Sequence, residues 1–124
     1  MRIIRHCSMA LLLILSGISK SHSNEVDGNF IMNACNNNSS SFADKVAADA
    51  FCTGFVFGLR GAFDMSLDFY KIPVNNRFYC APNDVTLQQT IDVFVKYLKE
   101  NPSARNNTGR ALFAKSMNEA FPCK

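Results

Sequence analysis

Residues 86–102 read TLQQTIDVFVKYLKENP, and this stretch decides the fold class. Thr86 and Gln89 stand at the spacing of a capping box, Leu87, Ile91, Phe94, Val95 and Leu98 recur at helical intervals, and Asn101-Pro102 is a stop. A helix with one apolar stripe needs other elements to cover it. Downstream, a further helix starts near Thr108, carries Leu112, Phe113, Met117, Ala120 and Phe121, and ends at Pro122. Upstream, Ser41 with Asp44 three residues on opens a long proline-free helix from Phe42 to about Tyr70. Before it, residues 29–34 form a short apolar stretch ending at Cys35, and the polar run 36–41 (NNNSSS) is a loop by composition. Between the long helix and residue 86, residues 71–84 carry Pro73, Asn75, Asn76, Pro82 and Asn83, an irregular connection in which residues 77–80 suit extended backbone. No run alternates as a half-buried strand does. The expected fold is all-α, a small four-helix domain.

The 124 residues allow one such domain. Arg2 and Arg5, the apolar run 10–18 and small residues at 21 and 23 have the form of a secretory leader, with cleavage expected after Ser23. A membrane anchor needs about 20 apolar residues, roughly twice what this run supplies. The expected division is a signal peptide over 1–23 and a mature domain over 24–124. The formal charge of +3 belongs to the leader, because removing Arg2, Arg5 and Lys20 leaves ten basic against ten acidic side chains. A neutral chain has no electrostatic footprint for nucleic acid or for an anionic membrane surface. Both histidines, His6 and His22, lie in the same leader. The mature chain therefore has no imidazole base, no Ser/His or Cys/His nucleophile pair and no His-ligated zinc. No cofactor is expected.

Export gives the cysteines their meaning. Cys7 leaves with the leader, and Cys35, Cys52, Cys80 and Cys123 enter a compartment where two disulfides are the default. Their gaps of 17, 28 and 43 positions lack the close ligand pairs of a zinc site. Four cysteines allow three pairings. If the last two helices run antiparallel, Cys123 returns beside Cys80, and Cys35 then pairs with Cys52, about 15 Å into the long helix. The crossed arrangement, Cys52 with Cys80 and Cys35 with Cys123, is the main competitor.

Two further patterns bear on surfaces. Ala47, Ala50, Gly54, Gly58 and Gly61 lie on one stripe of the long helix, where each interior glycine costs about 1 kcal/mol relative to alanine. Close helix packing offsets that cost, and the expectation favours packing within the monomer over a dimer seam. Phe51, Phe55, Ala62 and Phe63 project beside the stripe as core candidates. Asp64 and Asp68, four apart, read as a solvated face rather than a catalytic pair.

An ordered set of short motifs runs through most of the chain. Cys52-Thr53-Gly54-Phe55-Val56-Phe57-Gly58 is followed by Cys80-Ala81-Pro82, then by Thr86-Leu87-Gln88-Gln89 and Val95-Lys96-Tyr97-Leu98. Asn101-Pro102 and a closing Ala120-Phe121-Pro122-Cys123 complete it. The set resembles the Rap/Tai-type immunity proteins of bacterial type VI secretion systems, with Phe55 where tyrosine is common. The resemblance implies a small periplasmic helical protein, often a homodimer, that binds and blocks a peptidoglycan amidase delivered by another cell.

An inhibitor of that kind needs a stable scaffold and a protruding segment, not chemistry of its own. Residues 71–84 are the candidate segment, tethered by Cys80 and stiffened by Pro73 and Pro82. Arg77, Phe78 and Tyr79 are its candidate anchors, since arginine and aromatic side chains dominate interface hot spots. For Phe78 the competing reading is that it packs back onto the bundle. Residues 100–108 offer a polar rim or a solvated turn. A different function class stays open at this point: a periplasmic acid chaperone of the HdeA-like kind, exposing apolar surface as its carboxylates neutralise.

Overall fold

The computed structural model describes residues 26–36 and 39–124; the leader and its cleavage point lie outside them. The described residues form four α-helices and no strand: α1 Gly28–Cys35, α2 Phe42–Phe69, α3 Leu87–Glu100 and α4 Gly109–Ala120. Each start is fixed by a side chain that satisfies an otherwise orphan amide. Asp27 accepts from the Phe30 amide at 2.8 Å, Ser41 from Asp44 at 3.4 Å and Thr108 from Ala111 at 3.4 Å. At α3 both halves of the capping box form, Gln89 N–H to Thr86 Oγ1 at 3.2 Å and Thr86 N–H to Gln89 Oε1 at 2.8 Å.

Ile31, Val56, Phe94, Leu98, Leu112, Phe113 and Met117 are fully buried and join all four helices in one core. The contribution is uneven. Five residues of the 14-residue α3 are buried, and five of the 12-residue α4, but α2 buries only Cys52, Val56 and Leu67 of its 28. The long helix is thus a spine gripped along one narrow side.

Two disulfides clamp the arrangement, Cys35–Cys52 between α1 and α2, and Cys80–Cys123 between the connection and the residues after α4. The pairing is the one that antiparallel α3 and α4 favour. The start of the domain is fastened to the α3–α4 turn through the Gly28 amide on Arg105 O and the Gly109 amide on Val26 O, both at 2.8 Å.

Close approach requires glycine at those two places. A Cβ on Gly28 would meet the Arg105 Cα at 2.9 Å, and one on Gly109 would meet the Phe55 ring at 2.7 Å. The expectation that Gly54, Gly58 and Gly61 serve packing within the monomer is overturned, because a Cβ at any of them meets nothing within 4 Å. Those three lie on the exposed side of α2, turned away from the core.

Candidate partner interface

The connection between α2 and α3 begins with a tight reversal. Lys71 has φ 49°, in the left-handed region that costs a non-glycine residue about 1–2 kcal/mol. Ile72 N–H to Leu67 O at 3.1 Å and Lys71 N–H to Asp68 O at 3.3 Å close the helix end in the paired pattern of a Schellman motif. A 3-10 turn, Val74–Asn76, follows Pro73; Arg77 is extended and Phe78 sits at a bend.

Tyr79 is 3% exposed, edge-on to Phe63 and Phe113, whereas Phe78 is 60% exposed and keeps its ring edge-on to Phe63 at 5.8 Å. The reading of Tyr79 as an exposed anchor is therefore corrected. Both rings touch Phe63, but the phenol also has a polar partner in the interior: its hydroxyl donates to Asp64 Oδ1 at 3.1 Å. Burial first, then the neighbouring carboxylate, pushes the Tyr79 pKa far upward, so this phenol stays protonated. Asp64 is correspondingly a structural acceptor rather than part of a plain solvated face.

Arg60, one turn before Asp64, sets its guanidinium against the far end of the segment. Its Nη1 donates to Val85 O at 2.7 Å and to Thr90 Oγ1 at 3.1 Å, and its Nε lies 3.6 Å from Asp64 Oδ2. On the other side, Cys80 N–H donates to Phe121 O at 2.8 Å and Asn118 Nδ2 to Phe78 O at 2.6 Å. Arg77 is half-buried, its Nε donating to Ile72 O at 3.0 Å, so part of its donor capacity is already used internally.

Phe78 forms one wall of an apolar groove of about 660 Å³ against α4, floored by Phe63 and Tyr97 and edged by Arg110 and Lys115. A smaller polar cleft of about 250 Å³, lined by Arg60, Asp64, Asp68 and Arg77, lies on the opposite side of the segment. Beyond Phe78, exposed apolar side chains continue through Val74, Tyr70 and Phe69 to Met65 and Phe57 along α2. Sequence reasoning missed Phe69 and Tyr70; their adjacency at a helix end, just before Pro73, was the available signal. Residues 101–108 have a structural role: Arg105 closes α3 by donating to Leu98 O at 2.7 Å, and Asn106 accepts from Asn29 at 3.3 Å. No group of three or more metal-ligating side chains occurs among the described residues.

The scaffold is helical and stapled, it fastens the segment on both sides, and it leaves the Phe78 ring largely exposed. The model of the Rap1a immunity proteins matches residues 27–123, and the chain belongs to that family. Membership implies immunity against a secreted effector. No curated protein and no solved structure matches the chain.

Proposed function

We propose that the protein is a non-enzymatic periplasmic immunity protein that binds and blocks a peptidoglycan amidase, with the segment around Phe78 as the inserted element. The observation that carries this reading is the anchored segment itself. Fixed in advance, it loses little conformational freedom on binding, and preorganisation of that kind raises affinity without added contacts. The amidase as target and the periplasm as location are supported by the Rap/Tai resemblance and by the leader-like residues 1–23. Phe78→Ala is expected to weaken binding to the amidase encoded in the adjacent open reading frame by at least about 2 kcal/mol, on the order of thirtyfold. Thermal stability should fall by no more than about 1.5 kcal/mol, the worth of the edge contact with Phe63. Arg77→Ala should have the smaller effect. Unchanged affinity in both variants would remove the segment from the interface.

The working unit we propose is a homodimer seamed along the open face of α2. Support comes from three glycines with unfilled space above them and from exposed Phe57 and Met65 on the same helix, while Arg60 and Asp64 are engaged by Val85, Thr90 and Tyr79. By length and composition alone this helix is also apolar enough to cross a membrane. The acidic residues flanking the face, Asp44, Asp49 and Asp68, and its disulfide to α1 argue instead for a protein neighbour. Gly58→Leu should therefore halve the mass seen by light scattering while leaving helical circular dichroism intact, because a side chain there meets nothing within the monomer. An undiminished mass would contradict the seam.

A further inference from the structure

We infer that Asp64 and Tyr79 are positioning residues for partner binding, a strut that sets the segment carrying Phe78 without touching the partner. The inference rests on the proposed role of that segment. Its basis is that one turn of α2 holds the segment near both ends. Asp64 receives the Tyr79 hydroxyl at 3.1 Å, and Arg60, four residues earlier, donates to the carbonyl of Val85 at 2.7 Å. Between them residues 80–84 span the gap as an irregular strap containing Pro82. Tyr79 is buried, so it is out of a partner's reach, yet it directly precedes Cys80 and directly follows the exposed Phe78. The two residues share one peptide unit, so fixing the Tyr79 ring inward limits the directions open to the Phe78 ring, which rests edge-on against Phe63.

The components divide the labour. The disulfide to Cys123 and the Cys80 amide on Phe121 O locate the start of the strap against the C-terminal residues. The Asn118 side chain on Phe78 O, at 2.6 Å, fixes the peptide plane between residues 78 and 79 but does not hold the Tyr79 ring. The phenol–carboxylate hydrogen bond does, because it acts at the tip of a long rigid side chain, where a small backbone rotation displaces the hydroxyl most. Arg60 neutralises the carboxylate from its other oxygen, at 3.6 Å, and keeps it oriented toward the hydroxyl.

Tyr79→Phe removes the hydroxyl and retains the ring against Phe63 and Phe113. Amide hydrogen exchange on the free mature protein should show protection at Arg77, Cys80 and Val85 falling about fivefold or more, with the amides of α3 and α4 unchanged. Affinity for the adjacent-frame amidase should fall by a similar factor, mainly through faster dissociation. Asp64→Asn, which keeps an oxygen acceptor, should preserve both protection and affinity, while Asp64→Ala should match Tyr79→Phe, and the double variant Tyr79→Phe, Asp64→Ala should be no worse than either. Unchanged protection at residues 77–85 in Tyr79→Phe overturns the strut and leaves the segment's role in binding standing. So does loss of protection throughout α3 and α4, which would mark a merely structural role. Local loss of protection with full affinity overturns both the positioning role and the reading of the segment as the inserted element.

Discussion

Phe113→Ala is expected to lower the melting temperature of residues 24–124 by at least about 12 °C. The side chain is 0% exposed, stacks on Phe63 at 5.9 Å and meets Phe94 edge-on at 5.5 Å and Tyr79 at 6.4 Å. Truncating a buried phenylalanine typically removes about 3–5 kcal/mol, because the void left behind cannot close. Small domains have only about 5–15 kcal/mol in total, and each kilocalorie is worth about 4–8 °C at this size. The loss would extend to the segment, since Tyr79 leans on the same ring. Phe57→Ala is the matched control, a ring of the same size that is 65% exposed. Measured on the monomeric Gly58→Leu background, it should shift stability by no more than about 0.5 kcal/mol. Equal losses in the two variants would show that the core has been placed wrongly.

Replacing both Cys80 and Cys123 by serine should cost about 4 kcal/mol, more than the same change at Cys35 and Cys52. A crosslink limits the unfolded chain in proportion to the logarithm of the loop it closes. The closed loops span 43 and 17 residues, and that ratio is worth roughly 0.8 kcal/mol in favour of the longer one. The functional consequences should separate further. Loss of Cys80–Cys123 frees the segment from the C-terminal residues and so should weaken partner binding beyond its effect on stability, whereas Cys35–Cys52 lies away from Phe78. Denaturant unfolding of the two double-serine variants, run beside affinity measurements, checks both orderings. A larger loss from the Cys35 and Cys52 pair would contradict them.

Local signals in the chain proved sufficient for the helices and insufficient for what faces what. Ser41, Thr86 and Thr108 cap helices where their spacing to the next apolar run indicates, because a cap is a contact over three residues and is written within them. Asp27 escaped notice for lack of a strong periodic run behind it, although it caps α1 in the same way. The glycines show the opposite case. A repeat at Gly54, Gly58 and Gly61 records that three side chains are missing, but not whether any backbone occupies the space. Gly28 and Gly109, in no motif, turn out to be the tight ones, through contacts with Arg105, Ile31 and Phe55 far away in sequence. Phe78 and Tyr79 are adjacent rings that both reach Phe63, and which of them is buried is set by where Asp64 arrives from another helix to receive a hydroxyl. The disulfides became legible once the antiparallel course of α3 and α4 was assumed, since that course brings two distant cysteines together.

The most direct test of the central claim, that this scaffold acts by stoichiometric binding through the Phe78 segment, is a calorimetric titration of residues 24–124 into the peptidoglycan amidase that the proposal expects a neighbouring open reading frame to encode, with hydrolysis of peptidoglycan followed in parallel. The account predicts saturation at one chain per amidase, a dissociation constant of about 1 µM or tighter, near 8 kcal/mol of binding free energy, and hydrolysis reaching zero at equivalence. Phe78→Ala should shift the constant about thirtyfold while leaving the stoichiometry unchanged. Absence of binding heat, hydrolysis undiminished at tenfold excess of the chain, and survival of a deletion strain in contact with sister cells would contradict it.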